Sequence, residues 1–204
     1  MRKIWKSILI CALVPALAWG AGLNSQRQQL RQGLIRFHVV ADSDEPRDQD
    51  IKLQVRDAVL LEIREDLQQL RDTDAAKAYL RGKLADIQTV ANKTLKAAGV
   101  SDTARVSLCR EEFDTRIYDT FALPSGVYES LRIVIGEGKG HNWWCVTFPN
   151  LCLPATSEGF EDVAAGAGFS RNLIRTLDNR EDYQVRFFLL DALGKVENIL
   201  HTFK

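Results

Sequence analysis

Residues 131–152 read LRIVIGEGKGHNWWCVTFPNLC, and the fold turns on them. Leu131-Arg132-Ile133-Val134-Ile135 is β-branched and apolar, the composition of a strand. Gly136, Gly138 and Gly140 follow, alternating with Glu137 and Lys139. A second β-rich run, His141 to Phe148, carries Trp143, Trp144 and Cys145 before Pro149-Asn150 breaks the chain. The spacing predicts a hairpin with a glycine-rich loop. Glycine permits positive φ and close backbone approach, so the loop is expected to lie against something.

Working outward, Leu34 to Val40 (LIRFHVV) reads as a strand with Leu34, Arg36, His38 and Val40 on one face. It runs into Ala41-Asp42-Ser43-Asp44-Glu45-Pro46, a strand-to-helix turn in which Ser43 or Asp44 is placed to cap and Pro46 suits the first helical turn. The helix from about Pro46 to Leu70 has a broad apolar arc holding Leu53, Leu60, Ile63 and Leu67. Lys52 and Arg56 project into that arc. Burying an unpaired charge is costly. The two cations are therefore expected either to pair with Asp42, Asp44 or Glu137, or to hold the acidic loop in a fixed pose for recognition.

A second helix is predicted from about Asp74 to Ala98, capped by Asp72 or Thr73 and ended by Gly99. Strands follow at Thr103–Arg110 and about Phe113–Tyr118, then a turn at Leu123-Pro124-Ser125-Gly126. Residues 153–182 read as a variable insert, flexible at Ala164–Gly168, with a short helix near Phe169–Leu177. Val185, Phe188, Leu189, Ala192, Leu193, Val196, Ile199, Leu200 and Phe203 keep helical spacing. That defines an amphipathic C-terminal helix with Gly194 as a weak point, expected to pack its apolar face on the core, the alternative being a helix that binds a partner or lies on a membrane. The order implies an α+β single domain over 34–204, an antiparallel or mixed sheet against two long N-terminal helices and a C-terminal helix.

Residues 1–22 read as a signal peptide: a basic Met1–Lys6, an apolar Ser7–Ala18, and a cleavage site at Ala16-Leu17-Ala18 or Gly20-Ala21-Gly22. Residues 23–33 read as a polar tether or a short first helix. The 27 basic and 27 acidic side chains give no net charge. Without Arg2, Lys3 and Lys6 the balance is 24 to 27, with no basic stripe, so nucleic acid is not an expected partner. Export permits disulfides, and Cys145 and Cys152 bracket a Pro-Asn turn that suits one. The other reading is three buried thiols, Cys109 among them.

Candidate chemistry is sparse. Gly136-x-Gly138-x-Gly140 is followed by a strand and not by a helix, so it lacks the context of a phosphate loop. His38, His141, Cys145 and Cys152 match no standard zinc spacing. Cys145 with His38 or His141 is a nucleophile–base pair on paper, and Asp42 and Asp44 beside Glu137 form an acid/base candidate for an exported cell-wall or peptide hydrolase. On a strand Trp143 and Trp144 point to opposite faces, one suited to the core and the other to recognition. No metal or cofactor is expected.

Three stretches carry a family resemblance. They are IRFHVVADSDEPRDQDIKLQVRDAVL (35–60), TRIY followed by LPSGVYESLRIVIGEG within 115–138, and HNWWCVTFPNLC (141–152). Over about Leu34–Leu153 the chain resembles the stage II sporulation protein R family of endospore-forming bacteria, with Asp42 where Asn is more usual. The resemblance implies a non-enzymatic signal secreted into the space between forespore and mother-cell membranes. There it would activate a membrane-embedded aspartic protease that cleaves the precursor of the mother-cell sigma factor. The recognition surface expected on these grounds is Glu137, Gly138, Gly140, His141, Asn142, Trp143 and Trp144 with Asp42 and Asp44, oriented by Lys52 and Arg56.

Overall fold

A computed structural model describes residues 20–118, 121–149, 160–166, 168–178 and 185–202. The central sheet has four strands in the order β2 (Ala104–Phe113), β5 (Gly126–Ile135), β1 (Ile35–Val40), β6 (Asn142–Phe148). β1 is parallel to β5 and antiparallel to β6, and β2 is antiparallel to β5. The sheet is therefore mixed, and the fold is α+β as expected. β3 (Arg116–Ile117) and β4 (Ala122–Leu123) form a separate small ribbon.

The expected hairpin does not form. β1 lies between β5 and β6, so residues 136–141 cross over the end of β1. The physical reason is burial. Every residue of β1 is buried, Arg36 and His38 included, and a strand covered on both faces sits best in the middle of a sheet.

Two layers of helix cover the sheet. α2 (Pro46–Gln69) and α3 (Thr73–Ala97) pack on one face, joining Ile51, Val55, Ile63, Leu80, Ile87 and Leu95 to Phe37, Val39, Leu131 and Ile133. Asp72 caps α3 by accepting the Ala75 amide at 2.7 Å. Gly99, at φ +70°, closes it with the Gly99 amide on the Lys96 carbonyl and the Val100 amide on the Leu95 carbonyl. α2 differs from expectation: its N-cap is Glu45, with no side-chain cap. Asp42 and Asp44 are engaged elsewhere, and Ser43 bonds Asp48 at 2.5 Å.

The other face carries α1 (residues 20–33), α4 (Phe160–Gly166), α5 (Arg171–Asp178) and α6 (Val185–Thr202). The stretch left open between tether and helix is thus helical, with Leu23, Gln26 and Leu30 buried. Within the expected insert, Ala164, Phe169, Leu173, Ile174 and Leu177 join Leu30, Leu34, Phe113 and Tyr128 in a second core. Ala164–Gly166, read as flexible from composition, belongs to helix α4. Residues 1–19 of the expected leader lie outside the described residues. No described helix is long and apolar enough to cross a membrane.

α6 docks the other way round from its sequence pattern. It buries Phe187, Leu190 and Asp191 and exposes Phe188, Leu193, Val196, Ile199 and Leu200. Gly194 is a contact and not a weak point: a Cβ there would strike the Ser125 backbone carbonyl. Polar bonds fix the rotation. Asp191 accepts the Ser125 amide at 2.9 Å and the Thr115 hydroxyl, and Asn198 donates to the Phe113 carbonyl at 3.0 Å. Glu197 pairs with Arg27 at 2.6 Å and Arg31 at 3.0 Å.

Candidate functional site

What approaches the glycines is the chain's own β1–α2 turn. The Gly140 amide donates to the Ala41 carbonyl at 3.0 Å and the Lys139 amide to the Asp42 carbonyl at 2.9 Å. The Asp42 carboxylate accepts the Glu137 amide at 2.6 Å, and Asp44 accepts the His141 amide at 2.5 Å and pairs with its ring. Gly136 has φ +55°, and a side chain there would strike the Asp42 carboxylate; one at Gly140 would strike the Ser43 carbonyl. Both glycines exist because two loops lie flush.

The acids expected as an acid/base pair are therefore fasteners. The His141 amide, then the ring and its charge, hold the Asp44 carboxyl below its ordinary value, with Lys52 contributing. Glu137 pairs with Lys139 on the exposed crest.

Lys52 and Arg56 do not pair with Asp42, Asp44 or Glu137 in the way the first alternative required. Lys52 is buried and donates to the His141 carbonyl at 3.0 Å and to Gln49 Oε1 at 2.5 Å. Burial, then the neighbouring Arg56 charge, pushes its ammonium below its ordinary pKa. Arg56 lies 4.8 Å over the Trp143 ring and bonds Asp57 at 2.7 Å. Both cations thus brace the strand end that carries the loop, one through a carbonyl and the other through a ring.

The tryptophans part as strand geometry requires. Trp143 meets Phe37 edge-on at 5.9 Å and packs against the α2/α3 core. Trp144 faces the opposite side, stacked on His38 at 3.7 Å, with the Arg116 guanidinium 5.1 Å from its ring. Both are half-buried. Beside Trp144 opens a cleft of about 340 Å³ lined by Asp44, Arg116, Lys139, Gly140, His141 and Asn142. Asp42, Asp44, Glu137, Gly138, Gly140, His141, Asn142 and Trp144 thus gather at one corner, whereas Trp143 lies on the other face of the sheet.

The sequence pattern did not single out the buried polar strip beneath Trp144. His38 Nδ1 lies 3.1 Å from both Glu111 oxygens, and its Nε2 is sealed from solvent without a partner. Burial alone would raise the Glu111 carboxyl; hydrogen bonds from His38 and Ser130, with the His38 and Arg132 charges, bring it below its ordinary value. Arg36 is fully buried, 4.2 Å from the Phe113 ring centroid, and donates to the Tyr118 hydroxyl at 2.9 Å. An Arg and a His two apart on a buried strand were the available signal.

This strip is not joined to the Cys145 thiol. Cys145 pairs with Phe37 in the α2/α3 core, and His38 lies on the opposite face of β1, so the sheet separates them. His141 is four residues from Cys145 along an extended strand, about 13 Å. Burial, then the Glu111 charge, pushes the Cys109 thiol above its ordinary pKa. The Cys145–Cys152 pairing falls on Cys152, outside the described residues. Among the described residues no group of three or more His, Cys, Asp or Glu is placed to hold a metal. The corner can offer hydrogen bonds, charge and an aromatic face; among the described residues it holds no assembled nucleophile.

Residues 31–158 match the family model for stage II sporulation protein R. The chain is 32% identical to stage II sporulation protein R of Bacillus subtilis (strain 168), over 93% of this chain and 97% of that protein. No solved structure matches. With the interlocked corner lying inside the matched residues, the chain belongs to the stage II sporulation protein R family.

Proposed function

We propose that this chain is an exported signal of sporulation. In this reading it sits between the forespore and mother-cell membranes and binds the extracytoplasmic part of a membrane-embedded aspartic protease. That binding triggers cleavage of the precursor of the mother-cell sigma factor. The family supports the sporulation role. The observation that carries the rest is the corner itself. Glu137, Lys139, His141 and Asn142 are exposed on a loop fastened from below by Asp42, Asp44 and Lys52. A rigid exposed loop loses little freedom on binding, and a ligand activates a protease only by binding its active state more tightly than its inactive one.

The rival, an exported cell-wall or peptide hydrolase, needs an acid, base or nucleophile that a substrate can reach. Asp42 and Asp44 hold backbone amides, Glu137 pairs with Lys139, His141 pairs with Asp44, and His38 is covered by Trp144.

The test is sigma-factor precursor cleavage in sporulating cells carrying Lys139→Glu with Asn142→Ala, and separately Trp144→Ala. Variant levels are followed by immunoblot. The expected result is at least a tenfold loss of cleavage at normal levels of the variant, the size of a hot-spot truncation. Full cleavage with both variants would place recognition elsewhere.

A further inference from the structure

We infer that the outward face of α6 is a self-association surface on which a second copy of this chain packs its own α6, antiparallel and about a two-fold axis. The face is made by Phe188, Leu193, Val196, Ile199 and Leu200, each between 40% and 63% exposed. Together they present roughly 500 Å² of apolar surface, at the upper end for the largest patch on a monomer. The helix cannot turn to hide it. Asp191, Gly194, Glu197 and Asn198 tie the opposite face to Ser125, Arg27, Arg31 and Phe113.

Three features select a second copy as the occupant. The face is apolar on both sides of position 194. In an antiparallel pair crossing there, Phe188 meets Leu200, Leu189 meets Ile199 and Ala192 meets Val196, apolar on apolar, while Leu193 meets Lys195; a two-fold contact sets one patch on itself in this way. Leu189, Ala192, Val196 and Ile199 are spaced by three, four and three, the seam of a helix that packs on a helix. Two such faces bury roughly 1,000 Å², the threshold for a specific interface. Charge argues against a lipid surface. Interfacial helices flank their apolar face with basic side chains. Here α6 holds two Lys or Arg, Arg186 and Lys195, balanced by Asp191 and Glu197, and Lys195 is already 2.9 Å from Asp191.

Sedimentation equilibrium of the purified chain, from about 5 to 500 μM, tests this. The expected result is a monomer–dimer equilibrium with Kd on the order of 10–100 μM, as suits an interface of threshold size. Val196→Glu and Ile199→Lys, both at exposed positions, should each weaken it at least tenfold with an unchanged circular dichroism spectrum. Ile117→Glu, equally exposed but on β3, should leave it unchanged. A monomer throughout the range overturns the inference. So does a dimer that both α6 variants leave intact, or a monomer that binds anionic vesicles and loses them on Val196→Glu. None of these outcomes bears on the glycine corner, which the cleavage assay tests separately.

Discussion

α3 and α6 are both amphipathic helices with apolar residues at regular spacing, yet they meet the protein by opposite faces. α3 buries its stripe: Ala76, Leu80, Ile87, Ala91 and Leu95 are all in the core. α6 turns most of its stripe outward and docks by Asp191, Gly194, Glu197 and Asn198. An apolar face says that a helix has something to bury; it does not say that its own domain will bury it. In α3 the polar groups that reach inward, Asn92 and Gln88, accept the Ala104 and Val106 amides of the edge strand β2 and so agree with the hydrophobic choice. In α6 several fixed hydrogen bonds and a glycine contact do. Losing them would leave buried donors and acceptors unmatched, at about 1–3 kcal/mol each.

The comparison can be broken most directly in α3. Leu80→Ala should cost about 2–5 kcal/mol, the range for a fully buried leucine, read as a lower urea midpoint at unchanged slope. Gly194→Ala comes next. In an exposed helix interior that change stabilises by about 1 kcal/mol; here the new Cβ meets the Ser125 carbonyl. A net loss of about 1–3 kcal/mol is expected from overpacking, and a gain would mean that α6 is not seated on that turn.

Asp191 sharpens the difference through pH. Burial alone would raise its carboxyl, but bonds from Thr115, Ser125 and Lys195 outweigh it and hold the pKa below its ordinary value. A carboxyl with a lowered folded pKa contributes stability above its unfolded value, near 4, and loses it as pH falls through the folded value. Amides of α6 should therefore exchange faster below about pH 4 while those of α3 stay protected. Asp191→Asn should flatten that dependence. The smallest effect belongs to Leu200→Ala, within about 0.5 kcal/mol in the monomer because the side chain is already in solvent. A loss comparable to that of Leu80→Ala would mean that α6 packs by the other face.

At the corner, the sequence read both partners and missed how they join. Three glycines spaced by two announced a close approach, and the Asp42–Pro46 turn announced acids near a helix start. The approach proved to be one loop lying on the other, because β1 enters between β5 and β6 and brings its own exit turn beneath the crossing. Strand order depends on pairing across about a hundred residues, and local pattern carries no trace of it. Lys52 and Arg56 were found as cations in the wrong arc of a helix. That they end on a carbonyl and an indole ring follows from where β6 lies.

Local pattern by itself determined β1, β2, β5 and β6, the two long helices with their stops, the opposite facing of Trp143 and Trp144, and the family. Each depends on residues a few positions apart, where backbone stereochemistry and periodicity decide. The strand expected at about Phe113–Tyr118 is instead the end of β2 and the two-residue β3, and β4 lies where no strand is expected. Tertiary structure alone decided the strand order, the use of Asp42 and Asp44 as fasteners, the sealed His38–Glu111 pair, and the outward apolar face of α6. Those outcomes come from competition between burying apolar surface and matching polar groups, and its result is set by neighbours far away in the chain.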